Sequence, residues 1–321
     1  MSRNNFTSFW QSPLWADILT QTKQAEVIPY TVWDVSIVIE RRKIWGHFTG
    51  LYILGVDGDL LSSDILSDIR AKISSPSDLF LQVEPITWAG WGWEKAPFRR
   101  FLELTTAVTP LSDMTEDMLI QCFHEKGRYN IRVAERRGLT TYWAQGESIS
   151  PYTLPGNKKW GQTNIELFFS LLEETTERDN FSHNSLSYYQ KFVAVLEKNN
   201  AGWLLFVTKD NTLHAAGIFV YAGHHGIYYY GASPDSQEIR RDHGTYLLQW
   251  EAMRETIRRG CAEYDFLGIS SQEWDKLAGV TAFKMRFAPK KVILPSEKII
   301  VLRPIILVFL QCISKIRKIF R

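Results

Sequence analysis

Hydrophobic and polar positions early in the chain predict strands, then a helix, then another strand. Between residues 27 and 56, β-branched and aromatic runs are broken at Asp34 and Gly50, which is typical of hairpins. Apolar side chains within residues 62–73 recur at helical spacing, and Asp78–Pro85 has the pattern of a strand that proline ends. The patterning therefore favours a mixed α/β structure at the start of the chain.

The same alternation begins again in the second half. Its predicted elements are helices near Ile165–Arg178 and from Tyr188 to about Asn199, strands Trp203–Thr208, Leu213–Tyr221 and Gly226–Gly231, a helix over Arg241–Gly260 and a strand over Ala262–Leu267. Between the halves, residues 143–161 are rich in Gln, Gly, Ser, Pro and Asn, which indicates a connector. We therefore predict an α/β fold with one domain over residues 1–145 and a second over residues 146–294.

Basic side chains on one predicted helix, Met118–Arg137, form a regular row. Arg128, Arg132 and Arg136 are spaced four residues apart, so they lie on one helix face. The row is either a solvated surface or a contact for the phosphates of an RNA. The sequence leaves both interpretations open.

Composition limits the classes of function. With 321 residues, 45% of them apolar, the chain is long enough for two cores, and its net charge of +2 excludes a general polycation for nucleic acid. The three cysteines are scattered and the seven histidines show no ligand spacing, so we expect neither disulfides nor a catalytic metal. Residues 1–10 lack the apolar core of a secretory signal and no apolar run is long enough to span a membrane, so we expect a cytoplasmic location.

Short segments spread in order over residues 11 to 287 carry motifs of one known family. They are Gln11–Asp17, Gly127–Gly138, Glu177–Tyr189, Tyr230–Ser233, Leu247–Met253, Gly260–Ile269 and Gly279–Phe287. Together they resemble the FemABX family of peptidoglycan aminoacyltransferases, which are non-ribosomal peptidyltransferases. Each motif is weak alone, and their shared order makes the resemblance specific.

The resemblance implies a fold and a reaction. The fold is a pair of GNAT-like (acyl-CoA N-acyltransferase-like) domains with mixed sheets and no coiled-coil arm, since no heptad run separates the halves. The reaction transfers an amino acid from aminoacyl-tRNA to the stem-peptide amine of a peptidoglycan precursor, lipid II or UDP-MurNAc-pentapeptide, and so builds interpeptide bridges. No cofactor is implied. The first domain is expected to hold the precursor, and the second the aminoacyl-tRNA and the catalytic lysine.

The implied chemistry assigns roles to three residues near the end of the second domain. An aminoacyl-tRNA is already an activated ester, so the enzyme needs an oxyanion stabiliser and a proton acceptor rather than a nucleophile. Phe283 and Lys284 match the family's F-K motif, in which the lysine faces the reacting carbonyl or the terminal ribose phosphate of the tRNA; the alternative is a surface lysine on an alternating strand. Asp265 lies at the end of a predicted strand, where α/β sheets bind ligands, and is either a base or an orienter for the substrate amine, or a cap for a neighbouring loop.

Further candidates for substrate contacts are aromatic or basic. Tyr188 belongs to the paired-tyrosine motif, and Tyr230 and Trp274 either line a pocket or pack in a core. Trp91 and Trp93 lie in a tryptophan-rich loop whose flat rings suit sugars or bases; the alternative is a packed loop between domains.

One segment invites comparison with coenzyme A enzymes. Arg241 and Gly244 fit the Q/R-x-x-G-x-G/A motif of GNAT acetyltransferases, but Tyr246 replaces the third small residue and is expected to obstruct the backbone approach to a pyrophosphate. A CoA-dependent N-acyltransferase acting on an amino sugar or another amine is therefore the alternative function. A non-catalytic lipid- or tRNA-binding protein is a third.

The C-terminal segment, residues 295–321, combines apolar and basic residues. We expect it to return to the first domain. Beyond Pro304 its apolar positions fall on one helical face and its cations on the other, which suits an interfacial helix at the inner face of the plasma membrane. A helix docked on the first domain is the equal alternative.

Overall fold

The computed structural model describes residues 8–87, 96–155, 162–270, 278–287 and 289–319, with the backbone alone from residue 314 onward. The chain divides into two compact units. Unit 1 comprises Met1–Leu104 and Ile293–Arg321, and unit 2 comprises Thr105–Val292.

The secondary structure alternates in both units. Unit 1 begins with α1 (Pro13–Thr22), β1 (Glu26–Val32), β2 (Val35–Trp45), β3 (Phe48–Val56), α2 (Ser63–Ile73) and β4 (Asp78–Pro85). The chain continues through β5 (Thr105–Pro110), α3 (Glu116–Cys122), α4 (Glu125–Arg136), β6 (Thr140–Ala144), α5 (Asn164–Asp179), α6 (Leu186–Lys198), β7 (Gly202–Lys209), β8 (Thr212–Ala222), β9 (His225–Ala232), α7 (Gln237–Arg240), α8 (Gly244–Arg258), β10 (Glu263–Gly268), α9 (Ala278–Lys284) and β11 (Lys290–Ile293). It returns to unit 1 with β12 (Lys298–Val301) and α10 (Pro304–Ile319).

Both sheets follow one layout. In the first sheet, ordered β1-β2-β3-β4-β12, an antiparallel meander is followed by the parallel pair β3/β4, and β12 joins antiparallel to β4. In the second, ordered β11-β5-β10-β9-β8-β7-β6, the antiparallel strands β6 to β9 precede the parallel pair β9/β10, and β5 joins antiparallel to β10. A helix, α2 or α8, lies between the parallel strands in the sequence because parallel neighbours need a crossover.

These sheets confirm the predicted fold class, α/β with two mixed sheets. Among the described residues the longest helices, α5 and α10, have 16 residues each, and no coiled-coil arm is present there. Local signals set the helix starts: α5, for example, begins with a capping box between Thr163 and Glu166.

The division into units differs from the domain boundary predicted at residue 145. Strand β5 pairs with β10, and Leu119 of α3, Phe123 directly after that helix and Ile131 of α4 are buried in the unit 2 core. Residues 105–144 therefore belong to unit 2. The polar segment that suggested a connector follows β6 inside unit 2, because a shift in composition marks a loop whether or not a domain ends there.

The first family motif serves the fold of unit 1. Ser12 accepts a hydrogen bond from the backbone amide of Trp15 and so caps α1. Gln11 joins two strands, since its Oε1 accepts from the amide of Val38 at 2.8 Å and its Nε2 donates to the carbonyl of Leu54 at 2.6 Å. The motif thus ties α1 to the centre of the first sheet.

Unit 2 depends on a buried link between β10 and α8. The hydroxyl of Tyr264 donates to Oε1 of Gln249 at 2.6 Å, and both residues are fully buried. Replacing Tyr264 with Phe leaves that oxygen without this donor, and we expect the free energy of unfolding to fall by about 1–3 kcal/mol. Urea denaturation measures the change, with Tyr142→Phe on the half-exposed Tyr142 as the control. Equal stabilities of the two variants would contradict the assigned link.

Candidate functional site

Strands β9 and β10 part within unit 2. Their parallel pairing runs only from Glu263 to Asp265, opposite His225 to Ile227, although β9 continues to Ala232. Beyond Asp265 the pairing of β10 with β5 is interrupted by a bulge, and Leu267 has a left-handed φ of +57°. The two strands thus separate at their carboxyl ends, the part of an α/β sheet that commonly binds ligands.

Asp265 lies where the strands separate. Its Oδ1 accepts from the Thr106 hydroxyl at 2.5 Å and from the Leu267 amide at 2.7 Å. Burial raises the pKa of Asp265 above its ordinary value, while these hydrogen bonds and the charge of Lys284 oppose the rise. The carboxylate therefore caps the bulge, as one of the two predicted roles requires, and both hydrogen bonds use the same oxygen.

Lys284 reaches the same bulge from α9. It is only 8% exposed, and its Nζ donates to the carbonyl of Gly268 at 2.7 Å. It ends a helix and is not the exposed lysine of an alternating strand. The structure therefore brings Lys284 and Asp265 to one site at the end of β10.

Phe283 holds α9 against the core. Its ring makes edge contacts with Tyr246, at 5.1 Å between centroids, and with Phe287, at 5.4 Å. Phe283 thus anchors α9, the short helix that ends at Lys284.

The β9 side of the opening is aromatic. The hydroxyls of Tyr188 and Tyr230 are 3.1 Å apart, and Tyr230 also packs against Tyr189 and Phe192 of α6. Burial is the main cause that raises the pKa of Tyr230 well above its ordinary value, so this phenol is neutral at physiological pH. The structure brings the two predicted tyrosines together on β9 and α6.

Tyr246, near the start of α8, was expected to obstruct the approach of a pyrophosphate to the backbone, and the structure differs from that expectation. This ring is buried among Phe283 and Phe287, so the bulky side chain at the third motif position points into the core. A Cβ on Gly244 would lie 3.0 Å from the Cβ of His214, which explains the glycine. The expected obstruction by Tyr246 assumed an outward ring and does not follow from this packing.

Cations surround the start of α8. Arg241 is exposed, and its carbonyl accepts from Arg137 at 2.6 Å. Burial and the nearby charges of Arg137, Lys126 and Arg286 lower the pKa of His243, the residue before the helix, and Asp242 opposes them. Arg137 also pairs with Asp242 at 2.6 Å, which offsets part of this positive charge, so the exposed Arg241 is the candidate contact for an anion at this end of the helix.

The predicted row of arginines on α4 separates into two kinds. Arg128 is half-buried, and its Nη1 donates to the carbonyls of Gln121 and Phe123, so it fastens the end of α3. Arg132 and Arg136 are exposed. Only these last two remain as candidate contacts for phosphates.

Three predicted residues, Trp91, Trp93 and Trp274, lie outside the described residues. Within the described residues, no group of three or more His, Cys, Asp or Glu side chains is placed to hold a metal ion. Likewise, no helix among those residues is long and apolar enough to cross a membrane.

Sequence reasoning missed two members of the site. Thr106 binds Asp265 from β5, and Thr281 of α9 accepts a hydrogen bond from the amide of Ser270 at 2.9 Å. No pattern in the sequence indicates that Thr106, which was assigned to the first domain, pairs with β10. Thr281, in contrast, lies within the family motif Gly279–Phe287, so that motif could have pointed to it.

The paired mixed sheets, with polar side chains gathered at the end of β10, define an α/β protein built from two units of similar sheet layout. The chain belongs to the FemAB family, whose model matches residues 104–207 and 197–315. This confirms the resemblance found in the sequence and supports a transferase that acts in peptidoglycan biosynthesis.

Solved structures share the fold at low sequence identity. A crystal structure of FemX has a TM-score of 0.76 at 16% identity, covering 95% of this chain and 94% of that one. The C-terminal domain of a putative lysylphosphatidylglycerol synthetase from Agrobacterium fabrum has a TM-score of 0.55 at 12% identity, with coverage of 87% and 85%. L-PGS from Bacillus licheniformis has a TM-score of 0.51 at 15% identity, with coverage of 92% and 90%. No curated protein sequence matches the chain.

The hydroxyl of Thr106 is expected to set the proton affinity of Asp265. A hydrogen bond to the charged carboxylate lowers its pKa, so Thr106→Val should raise the pKa of Asp265 further above its ordinary value. Titration of the Asp265 carboxyl carbon by nuclear magnetic resonance measures the shift. Thr109→Val is the control, because Thr109 donates to the carbonyl of Phe287 instead. A pKa that falls, or that moves equally in both variants, would contradict the assignment.

Proposed function

We propose that the chain transfers an amino acid from aminoacyl-tRNA to the stem-peptide amine of a peptidoglycan precursor, either lipid II or UDP-MurNAc-pentapeptide. The observation that carries the proposal is the buried ammonium of Lys284 at the point where β9 and β10 part. Membership of the FemAB family supports the same class of reaction. Unit 2 acts on the aminoacyl-tRNA, and unit 1 holds the precursor.

The reaction needs charge stabilisation and a proton acceptor. The precursor amine attacks the ester carbon, a C–N bond forms, and the C–O bond to the tRNA ribose breaks. Lys284 stabilises the negative charge that develops on the carbonyl oxygen, because a fixed cation in a buried site interacts more strongly with that charge than a cation in water does. Asp265 takes the proton of the amine through Oδ2, which neither of its hydrogen bonds to described residues uses, and returns it to the departing ribose oxygen.

Electrostatic contacts guide the RNA to unit 2. The exposed Arg132 and Arg136 of α4 meet phosphates of the tRNA, and Arg241 and its neighbouring cations meet those near the 3′ end. Tyr188 and Tyr230 form the aromatic wall of the pocket for the amino acid. The paired hydroxyls suit a polar group of the donor.

The proposal is tested with purified protein, radiolabelled aminoacyl-tRNAs and three acceptors: lipid II, UDP-MurNAc-pentapeptide and phosphatidylglycerol. We expect label on a peptidoglycan precursor. Phosphatidylglycerol is included because two proteins of similar fold are named for lysylphosphatidylglycerol synthesis or as L-PGS. Label on phosphatidylglycerol alone would overturn the proposed class of acceptor. A parallel reaction with labelled acetyl-CoA tests the alternative, and transfer from that donor alone would overturn the donor class.

Lys284 is the residue on which transfer should depend most. We expect Lys284→Ala to lower kcat by at least about 100-fold, the cost of losing one oxyanion contact. Circular dichroism and the thermal midpoint check that the fold persists, and Lys191→Ala, on the exposed face of α6, is the control. Normal turnover by Lys284→Ala would remove the lysine from the mechanism.

The two exposed arginines of α4 should act on tRNA affinity and not on chemistry. Each phosphate contact contributes roughly 0.7 to 0.9 to the slope of log affinity against log salt, so the double variant Arg132→Ala/Arg136→Ala should reduce the magnitude of that slope by about 1.5. Filter binding at several salt concentrations measures it. Arg128→Ala should instead lower stability, because it removes a donor from two carbonyls. An unchanged slope in the double variant would exclude this surface as the RNA contact.

A further inference from the structure

Helix α10 has two apolar faces, and the residues that the structure describes cover one of them. Leu307 and Leu310 are each 5% exposed and pack in the unit 1 core beside residues of β3 and β4. Gln311 strengthens this docking, since its Nε2 donates to the carbonyl of Pro97 at 3.0 Å. The helix is therefore fixed to unit 1 through one side, as one of the two predicted arrangements requires.

The other side of α10 carries large apolar side chains into solvent. Ile305 is 85% exposed, Val308 57% and Phe309 62%, and Cys312 is exposed as well. These four positions follow helical spacing, so they form one continuous stripe, here called the outer stripe. A helix that served only to complete unit 1 would present polar residues on its outer face.

The charge of the same segment identifies the partner. Residues 303–321 contain five basic residues (Arg303, Lys315, Arg317, Lys318 and Arg321) and no acidic one, although the whole chain carries a net charge of only +2. An apolar stripe beside concentrated positive charge complements a surface that is apolar below and negative above. The interface of an anionic bilayer has that composition.

The length of the helix favours a position in the plane of the membrane. The 16 residues of α10 extend for about 24 Å, which is shorter than the hydrocarbon core of a bilayer, and docking of Leu307 and Leu310 keeps one side on unit 1. We propose that the outer stripe of α10 docks unit 1 on the surface of an anionic lipid bilayer, with Ile305, Val308 and Phe309 entering the boundary between headgroups and acyl chains. This inference does not depend on the proposed function.

Vesicle binding tests the proposal. The full chain is sedimented with vesicles of phosphatidylglycerol and phosphatidylcholine, and with vesicles of phosphatidylcholine alone. We expect preferential binding to the anionic vesicles that weakens with salt. Ile305→Ser/Val308→Ser/Phe309→Ser should lower the partition coefficient by at least about tenfold, because three side chains lose their burial in lipid.

A matched control removes three exposed apolar side chains elsewhere. Met118, Ile149 and Phe181 of unit 2 are 50%, 72% and 51% exposed, so Met118→Ser/Ile149→Ser/Phe181→Ser changes a comparable amount of surface. We expect wild-type vesicle binding from this control. Equal loss in both triple variants, or binding retained by the α10 variant, would overturn the proposal.

Two exposed cysteines provide a local probe. Cys312 lies on the outer stripe and Cys122 in α3, whereas Cys261 is buried. An environment-sensitive fluorophore attached to Cys312 in a Cys122→Ser background should shift to shorter wavelength on anionic vesicles. The same fluorophore on Cys122 in a Cys312→Ser background should not shift.

Other outcomes separate this proposal from alternatives. If wild type forms dimers, the α10 triple variant is monomeric and vesicles bind neither, the stripe is an interface between copies and the membrane proposal is wrong. Transfer to the soluble acceptor UDP-MurNAc-pentapeptide should be unchanged in the α10 variant. Loss of vesicle binding with retained transfer therefore supports the membrane surface, whereas absent transfer in wild type bears only on the proposed function.

Discussion

The organisation of unit 2 depends on how the backbone is satisfied where β10 leaves its neighbour β9. A buried strand that loses its ladder exposes amides and carbonyls, and these need other partners. Here Asp265 accepts from the amide of Leu267, Lys284 donates to the carbonyl of Gly268, and Thr281 accepts from the amide of Ser270. The side chains proposed to take part in the reaction are thus the ones that hold the bulge. Their positions are therefore set before any substrate binds.

Much of the fold was predictable because it rests on local patterns. The helix predicted over Arg241–Gly260 is α8, Gly244–Arg258, and the strand predicted over Ala262–Leu267 is β10, Glu263–Gly268. The unit boundary was not predictable in this way, because it depends on which strand β5 joins. That pairing places Thr106 beside Asp265, and no periodicity in the sequence connects two positions so far apart.

For the candidate site, family motifs located the region but did not distinguish chemistry from architecture. Lys284 and Asp265 come from two motifs and meet at one bulge. Arg128 comes from a third, yet it fastens the end of α3, and Arg178 of a fourth motif donates to the carbonyls of Ser233 and Pro234 after β9. A motif shows which residue type occupies a position. The hydrogen-bond partners of that residue in the structure then indicate whether its role is structural.

The path of the chain between the units has a consequence for biosynthesis. Unit 2 is continuous in sequence, whereas the first sheet must wait for β12, which is translated after all of unit 2 and pairs with β4. During synthesis unit 2 can complete its core while β4 still has an open edge on the nascent chain, a state prone to wrong pairing. Helix α10 follows β12 in the chain, so unit 1 acquires this layer only after all of unit 2 has been translated.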